Sequence, residues 1–450
     1  MKNLLMTMMV AGMIFGFTSC KDDDSPVTAT CTDGIQNGDE TGIDCGGTSC
    51  IACSSTLITK SGTITADESW TSDAIYVLDG RVIVADGVTL TIEAGTIIKG
   101  EEGEAENASV LIVAQGGKLE AVGTATAPII FTTILDDIDL GQTQGTNLSK
   151  TDNETWGGII ILGYAPISAK TGDDVAAIEG LPANAAYGVY GGTDPADNSG
   201  TLKYVSIRHG GITIGEGNEI NGLTLGGVGS GTTIDNIEIY ATLDDGIEFF
   251  GGTVDVTNLV IAWQGDDGID IDQNYAGTVD NFIVSHGAGV GTDEGFEIDG
   301  PENTLKDGKF TLKNGTVIND GGTTDSGTAA DLKSDAQGTF NNIIFKGYDD
   351  SKNTLKFEGE YLSDGSCTRD DLKVDALGNL LAGEIVITKT NFGSIKVYSK
   401  KDDTDTALCN SIPAEDQSDA EAMATTDNTA TGASNTTFSW TLSAAEGLLN

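Results

Sequence analysis

The stretch LDDGIEFFGGTVDVTNLVIAWQGDDGIDID, residues 243–272, contains one pattern twice. The motif DGIEF at residues 245–249 returns 22 residues later as DGIDI at residues 267–271. Apolar and acidic side chains alternate in both copies, which is typical of a β-strand that buries one face. The repetition predicts that both copies occupy the same place in successive structural repeats.

The repeat continues on both sides of this stretch. Related motifs begin at Asn221, Asp245, Asp267 and Glu294, at separations of 24, 22 and 27 residues. Each strand in such a period recurs in the same direction, which excludes an array of hairpins. We therefore predict an all-β solenoid, a single-stranded right-handed parallel β-helix over residues 57–450, whose hand follows from the preference of parallel crossovers. Like strands would stack about 4.8 Å apart.

The pattern also predicts which side chains stack inside the solenoid and at its corners. Alternation turns two apolar ladders inward, namely Ile247, Ile269, Phe296 and Phe249, Ile271, Ile298. Recurring asparagines tolerate left-handed backbone and can hydrogen-bond to one another across coils, namely Asn236, Asn258 and Asn281. Recurring glycines mark bends where a Cβ or a negative φ is not tolerated, namely Gly246, Gly268 and Gly295.

Acidic residues fill the positions between the inward-facing ones. We predict that they form two columns on the outer wall, with further acids nearby: Asp245, Glu248, Asp267, Asp270, Asp272, Glu294, Glu297 and Asp299. Like charges stacked a strand apart repel by roughly 1 kcal/mol per pair in water. We expect Ca²⁺ to bridge them, because it is a hard cation that takes oxygen ligands. Solvated acids that merely keep this wall soluble are the alternative.

The first residues have the pattern of an export signal. A lysine precedes an apolar stretch from Leu4 to Phe17, and FTSC ends at Cys20. Residues 1–19 are thus predicted to be a signal peptide. The ending resembles the lipobox of bacterial lipoproteins, which implies acylation of Cys20. The following CKDDDS resembles the acidic tag that directs lipoproteins of Bacteroidota to the outer face of the outer membrane. No other apolar run is long enough to span a bilayer, so the lipid is the expected membrane contact.

Six further cysteines indicate disulfides in an oxidising compartment. Four lie in residues 20–56, a tether and cysteine-rich module with too few apolar residues for a core: Cys31, Cys45, Cys50 and Cys53. Two disulfides are expected there, with the pairing open and a zinc site as the alternative. Cys367 and Cys409 are predicted to tie an insertion or cap at about residues 346–435. FSWTLSAAEGLL, residues 438–449, is predicted to return and close the open end of the solenoid.

The formal net charge of −46 makes nucleic acid an unsuitable partner, because binding to phosphates depends on lysine and arginine. Cations, neutral glycans and basic protein surfaces remain. We expect the chain to be a monomer.

Aromatic and basic residues recur at one corner of the repeat. Tyr240 and Trp263 are predicted to bind a ligand such as a sugar. If the protein were an enzyme, Arg208, His209 and His286 would be its catalytic candidates. Because the chain has two histidines in 450 residues, we predict no catalytic residues.

Three segments carry a resemblance to a family: WGGIIILGYAPIS at residues 156–168, GGTDPADNSGTLKYVSIRHGG at 191–211 and NEINGLTLGGVGSGTTIDNIEIYATLDDGIEFFGG at 218–252. They resemble Bacteroidota surface lipoproteins with a β-helix distantly similar to that of pectate lyases. The resemblance covers most of residues 57–345. It implies the fold and the location and transfers no catalytic residue.

These observations predict a cell-surface lipoprotein on the extracellular side of the outer membrane. Its β-helix would be a non-catalytic binding or scaffold module, stabilised by Ca²⁺ and in contact with a glycan or an outer-membrane protein. A polysaccharide lyase or glycoside hydrolase of the same fold is the main alternative. An adhesin or an accessory subunit of a transporter is a third reading.

Overall fold

The computed structural model describes residues 31–32, 37–38, 47–50 and 56–449, the last range without 173, 183, 216–217, 288–290, 320–327, 349–352, 371 and 403. The chain divides into two compact units, Met1–Ser54 and Ser55–Asn450. In the first unit Cys31 forms a disulfide with Cys50. Cys20, Cys45 and Cys53 lie outside the described residues, so the lipidation of Cys20 and the pairing of the other two stay predictions.

The second unit is a parallel β-helix, as predicted. In its described part, 23 strands form one continuous parallel sheet that winds around the axis. One coil comprises the strands Ile247–Phe250 and Val256–Ala262, and the next coil begins with Ile269–Asp272. Ile247 pairs with Ile269 and Glu248 with Asp270, so like residues lie directly over each other.

The strands fall into three stacks, called A, B and C. Stack A contains Val110–Val113, Ile159–Leu162, Leu223–Gly226, Ile247–Phe250, Ile269–Asp272, Glu294–Ile298, Thr328–Leu332, Thr354–Gly359 and Ser394–Ser399. Stack B contains Glu68–Trp70, Thr89–Ile92, Lys118–Val122 and Ile385–Thr388. Stack C contains Ile97–Gly100 and Ile129–Thr133.

Longer, bent strands belong to two stacks each. Those shared by stacks B and C are Gly200–Arg208, Thr233–Tyr240, Val256–Ala262, Thr278–His286, Phe310–Asn319 and Gly338–Lys346. Those shared by stacks C and A are Thr56–Ile64 and Ala74–Val84. Two antiparallel pairs lie in loops, Ala176–Ala177 with Val189–Tyr190 and Thr213–Gly215 with Asn218–Glu219.

Helices are few and short in the described residues. The α-helices are Ala376–Ala382, Ala414–Met423 and Leu442–Ala445, and the 3-10 helices are Ala105–Asn107, Ala186–Gly188 and Asn435–Phe438. Among the described residues, no helix has both the length and the apolar character needed to cross a membrane.

The two apolar ladders lie inside the coils, as predicted. Ile247, Ile269 and Phe296 pair in register, and all three are fully buried. The second ladder is equally inaccessible. Burying each such side chain contributes about 1.5–3 kcal/mol relative to leaving it exposed. The continuous core therefore runs along the axis.

The corner asparagines confirm the predicted backbone conformation, and their predicted hydrogen-bond ladder in part, because Asn258 Nδ2 donates to Asp235 Oδ1 rather than to Asn236. Asn258 and Asn281 have φ values of 57° and 60°, in the left-handed region. Asn281 Nδ2 donates to Asn258 Oδ1 over 2.7 Å, and Asn342 Nδ2 donates to Asn314 Oδ1 over the same distance. Asparagine is therefore favoured twice here, by its backbone tolerance and by its amide ladder.

The recurring glycines are required for space. A Cβ on Gly246 would lie 2.4 Å from Ile261 Cγ2 and 2.6 Å from the carbonyl oxygen of Gly268. The backbone of Gly246 is not in the left-handed region, so the close approach of neighbouring coils is the reason for glycine at this position.

The last coil is covered by the region tied by the Cys367–Cys409 disulfide, which confirms that predicted pair. Gln417, on the helix Ala414–Met423, donates from Nε2 to Ile395 O and accepts at Oε1 from Val397 N, each over 2.9 Å. One side chain thus satisfies the free edge of the final strand, which would otherwise invite further strand pairing.

The segment of residues 431–449 does not close the open end, contrary to the prediction. It returns along the outer side of stack C in the middle coils. Phe438 packs against Val260 and Ile283, and Leu448 packs against Trp263. The reason is that the helical region already covers the last coil, whereas apolar side chains on the outside of stack C need this cover.

Candidate cation site

The first acidic column is continuous, as its sequence spacing predicts. Glu248 pairs in register with Asp270, and Asp270 pairs with Glu297. The column continues to Asp331 in the next strand of stack A. These side chains therefore project from successive strands on the outer side of the coil.

The second column lies where the chain enters each of these strands. Asp245 Oδ1 accepts a hydrogen bond from Asp267 N over 2.9 Å, and Asp267 Oδ1 accepts one from Glu294 N over 2.6 Å. Each carboxylate is thus held in place by the backbone of the following coil.

Both columns are more deeply buried than an outer wall would suggest. Glu248 is 5% exposed and Asp267 is 2% exposed. Part of the cover comes from residues 163–199, here called the covering segment. Its Tyr190 packs against Phe250 with ring centroids 5.9 Å apart and donates from its hydroxyl to Gln273 Oε1. Solvent screening, the basis of the alternative reading, is weak for such buried charges.

Burial and mutual repulsion raise the pKa values of these carboxyl groups. For Glu248, loss of hydration has the largest effect on the pKa, followed by the charges of Asp270 and Glu179, the latter in the covering segment. The pKa of Asp245 is also raised, by burial and by Asp244. The same causes, burial first and Asp266 second, raise the pKa of Asp244 to about 7. The charged forms are thus costly without a cation.

Two groups of three carboxylates come close enough to share an ion. Asp245, Glu248 and Asp270 each offer an oxygen, all within 4.8 Å of one another. Asp244, Asp245 and Asp266 form a second such group. Sequence reasoning missed Asp244 and Asp266, although each is the first aspartate of a recurring Asp-Asp-Gly and this doubling was a usable signal.

Asn221 occupies the position of Asp245 in an earlier copy of the repeat, but sequence analysis did not identify it as a ligand. It precedes Gly222 as Asp245 precedes Gly246, and it is 3% exposed. Its Nδ2 donates to Glu248 Oε2, whereas its Oδ1 has no hydrogen-bond partner among the described residues. One oxygen of Asp270 is likewise buried without a partner. Such atoms are rare in folded proteins and indicate a missing partner.

The predicted acids towards the C-terminus are neutralised by lysines. Lys356 Nζ lies 2.5 Å from Glu294 Oε1 and 2.8 Å from Asp331 Oδ2. Lys333 forms an ion pair with Glu297. Among the described residues no basic side chain forms an ion pair with the acids further towards the N-terminus, which are Asp244, Asp245, Glu248, Asp266, Asp267, Asp270 and Asp272.

Five of the eight predicted ligands lie outside both groups of three: Asp267, Asp272, Glu294, Glu297 and Asp299. Asp272 follows the strand position of Asp270 by two residues, and its pKa is raised by burial and then by Asp299 and Glu302. Of the eight predicted ligands, the structure brings three together around one point: Asp245, Glu248 and Asp270.

The donor set of this point fits a calcium ion. Ca²⁺ takes six to eight oxygens at about 2.3–2.6 Å, so oxygens up to about 5 Å apart can bind one ion. Three carboxylates within 4.8 Å of one another meet this condition. The Asn221 side chain contacts one of them, Glu248, and has an oxygen without a hydrogen-bond partner among the described residues. No histidine or cysteine belongs to either group, which disfavours zinc.

Comparison with known proteins identifies the fold family. Residues 62–444 match the family described as "Pectate-lyase like beta helix domain". The chain belongs to this pectate-lyase-like β-helix family. No curated protein and no solved structure matches it.

Within this pectate-lyase-like β-helix, the three catalytic candidates are engaged in structural contacts. Arg208 is 2% exposed, donates from Nε to Ser206 Oγ over 2.7 Å and lies 3.6 Å from Glu238. His209 Nδ1 lies 2.5 Å from the carbonyl oxygen of Asp152. Burial lowers the pKa of His209 below the usual histidine range.

His286, the third catalytic candidate, does not lie beside Arg208 and His209. It is fully buried, and burial lowers its pKa to about 3. Its Nε2 lies 3.3 Å from the hydroxyl of Tyr348. The cavity beside Arg208 and His209 has a volume of about 50 Å³ and is not lined by His286. This space holds a water molecule or two rather than a sugar ring.

Tyr240 and Trp263 have no exposed ring face, which corrects the expectation that they bind a sugar. Tyr240 is buried and donates from its hydroxyl to Glu446 Oε2 over 2.8 Å. Trp263 is 6% exposed, with Lys150 Nζ 4.0 Å from its ring centroid and Leu448 packed against it. The returning segment of residues 431–449 covers both rings, so neither can stack on a sugar in this structure.

Proposed function

We propose that the protein is a cell-surface lipoprotein whose β-helix is a non-catalytic binding or scaffold module stabilised by Ca²⁺. One observation carries the metal part: Asp245, Glu248 and Asp270 come together at one point, and none of the three forms an ion pair with a basic side chain of the described residues. Buried charges without a partner cost several kcal/mol each, so a site of this kind needs a cation or protons.

Calcium suits this site better than the other common divalent ions. Magnesium demands near-ideal octahedral geometry and keeps most of its waters, whereas these carboxylates come from two strand positions and one fixed turn position. Calcium accepts irregular oxygen ligands from a rigid frame. The ion would tie successive coils together and thereby stiffen the wall.

The partner is proposed to be a glycan or an outer-membrane protein. The lipobox-like ending at Cys20 and the acidic CKDDDS support an outer-membrane location, anchored by lipid and facing the exterior. The net charge of −46 speaks against nucleic acid. Replacing Cys20 by Ala should release the protein from the membrane fraction, and protease added to intact cells should cleave the wild type. Retention of the variant or full protection would contradict the proposal.

The metal part is tested by calcium titration and thermal melting. Wild-type protein should bind Ca²⁺, and its Tm should fall when a chelator is added, because the ion binds only the folded state. The double variant D245N/D270N should lose both responses. The matched control E415Q/D419N removes two exposed carboxylates from the helix Ala414–Met423 and should keep both responses. A wild type with no calcium response would refute the proposal.

A polysaccharide lyase or glycoside hydrolase remains the second candidate, supported by the family match. The burial of Arg208, His209 and His286 argues against these three as its catalytic residues. Incubation with uronic-acid polymers should produce no absorbance from unsaturated products. Product formation that disappears in R208K or H209A would favour the lyase instead.

A further inference from the structure

We infer that the site holds two divalent ions and that Asp245 is a ligand to both. This inference rests on the proposed function, since it concerns the same carboxylates. It goes further because it fixes the number of ions, divides the ligands between them and adds residues outside the predicted columns.

The division follows from the two groups of three carboxylates. An inner group consists of Asp245, Glu248 and Asp270, and an outer group of Asp244, Asp245 and Asp266. Asp245 belongs to both, and a carboxylate has two oxygens that can bind different ions. Shared carboxylates are common where two metal ions lie close together.

Asp245 is also held in a suitable position. Its Oδ1 accepts a hydrogen bond from Asp267 N over 2.9 Å. An oxygen that accepts one hydrogen bond retains a second lone pair for a metal. The side chain therefore cannot swing towards one group and leave the other.

An independent observation points to a ligand beside the inner group. Asn221 is almost fully buried, and its amide reaches Glu248, yet its Oδ1 has no hydrogen-bond partner among the described residues. A buried amide oxygen without a partner costs about 1–3 kcal/mol, which a metal contact would remove. Asn221 thus supplies a neutral oxygen that completes the inner ligand set.

The charge balance favours two ions over one. The two groups together contain five carboxylates. A single divalent ion would leave most of this charge uncompensated in a poorly hydrated site, whereas two ions supply four positive charges. The inner ion is enclosed, because Asp245 and Glu248 are buried; the outer ion faces solvent, because Asp266 is exposed. The outer ion should therefore bind more weakly and exchange faster.

The experiment measures calcium stoichiometry by equilibrium dialysis with metal analysis, using the intact folded protein. Wild type should bind two Ca²⁺ at this site. D244N/D266N should retain only the tighter ion, and E248Q should weaken that ion about tenfold or more. The control E415Q/D419N should give the wild-type value. Circular dichroism of each variant checks that it is folded.

The outcomes separate this inference from the proposed function. One ion in wild type and one in D244N/D266N would overturn the two-ion site and leave the calcium-stabilised module intact. No bound calcium in wild type would overturn both. Two ions in wild type that both persist in D244N/D266N would place the second ion elsewhere and would also refute the assignment.

Discussion

The acidic columns on the outer side of stack A form a wall with two halves. Both halves have the same geometry, but their negative charges are balanced in different ways. In the half nearer the C-terminus, Glu294 and Asp331 hold Lys356 between them. In the half nearer the N-terminus, Asp245 and Asp270 occupy the corresponding positions, and neither forms an ion pair with a lysine of the described residues. Both halves stack carboxylates on successive strands, so the fold alone does not decide how the charge is balanced. Where a lysine of the chain lies between the carboxylates, their charge is neutralised. Where no lysine does so, the carboxylates need a cation from solution.

The largest expected effect comes from removing the internal cation. K356M leaves Glu294 and Asp331 buried without a partner, and breaking a buried pair in this way costs about 3–5 kcal/mol. Denaturant unfolding should show this loss in the free energy of unfolding. The control K396M changes the exposed lysine in register on the next strand and should cost little. Equal losses in both variants would show that the ion pairs of Lys356 do not stabilise this half of the wall.

The second prediction transfers the lysine to the other half. Lys356 contacts the acid one coil before it and the acid two coils before it; the equivalent position for Asp270 and Asp245 is Glu297. E297K should therefore neutralise that half and weaken Ca²⁺ binding about thirtyfold, or about 2 kcal/mol. Lys333, which loses its partner, is about a third exposed and can turn to solvent.

Calcium titration and melting in a chelator check this exchange of one cation for another. At the same calcium concentration, the Tm of the variant should rise less on adding Ca²⁺ than that of the wild type. A variant that still responds to Ca²⁺ like the wild type would contradict the equivalence of the two halves.

The third prediction concerns pH in the absence of calcium. The folded-state pKa of Asp244 is raised to about 7 and that of Asp293 to about 6, both mainly by burial. Groups with raised pKa values bind more protons in the folded state, so stability is lost as pH rises between the unfolded and folded values. Buried His286, whose pKa is lowered to about 3, has the opposite effect, because stability rises with pH up to its unfolded value near 6.5. Above that pH the carboxyl groups dominate, so the chelated protein should lose about 1 kcal/mol of stability from pH 6.5 to pH 8.

Calcium should weaken this dependence, because the ion holds its ligands, among them Asp244, in the ionised form. Melting curves at several pH values, with and without calcium, provide the measurement. A chelated protein that becomes more stable from pH 6.5 to pH 8 would contradict the assigned burial.

The smallest expected loss of stability comes from the corner asparagines, which occur in both halves and therefore serve as a reference. N258A removes the acceptor of the Asn281 hydrogen bond. It also places alanine at φ 57°, in the left-handed region that asparagine tolerates better. The expected loss is about 1–2 kcal/mol. N342A should behave alike in the other half. Because the corner lies away from the acids, the loss should be the same with and without calcium; a calcium-dependent loss would show that the corner and the wall are coupled.

The sequence was sufficient for the features that repeat. Alternation and a coil length near 22 residues placed Glu248, Asp270 and Glu297 in one column, and the asparagine corners followed from the same spacing. These positions are local in the repeat, so each neighbour in space has a counterpart in the sequence pattern.

The features that the sequence did not predict come from segments outside the repeat. The burial of Glu248 depends on the covering segment, and the burial of Trp263 depends on Leu448, which lies far along the chain. Lys356 stands in the motif TLKFEG, which lacks the Asp-Gly beginning of the acidic copies. No periodicity signals such contacts, because each occurs once.

The returning segment of residues 431–449 has a consequence for the order of folding. Ser443 donates from both its backbone nitrogen and its hydroxyl to Glu238 Oε1, each over 2.8 Å, although the two residues are 205 positions apart. Ser434 N donates to the ladder residue Asn281. The central coils thus obtain their final cover from a segment that is synthesised after every one of them. The coils can form one after another from the N-terminus, but the central coils are fully covered only after residues 431–449 have been synthesised.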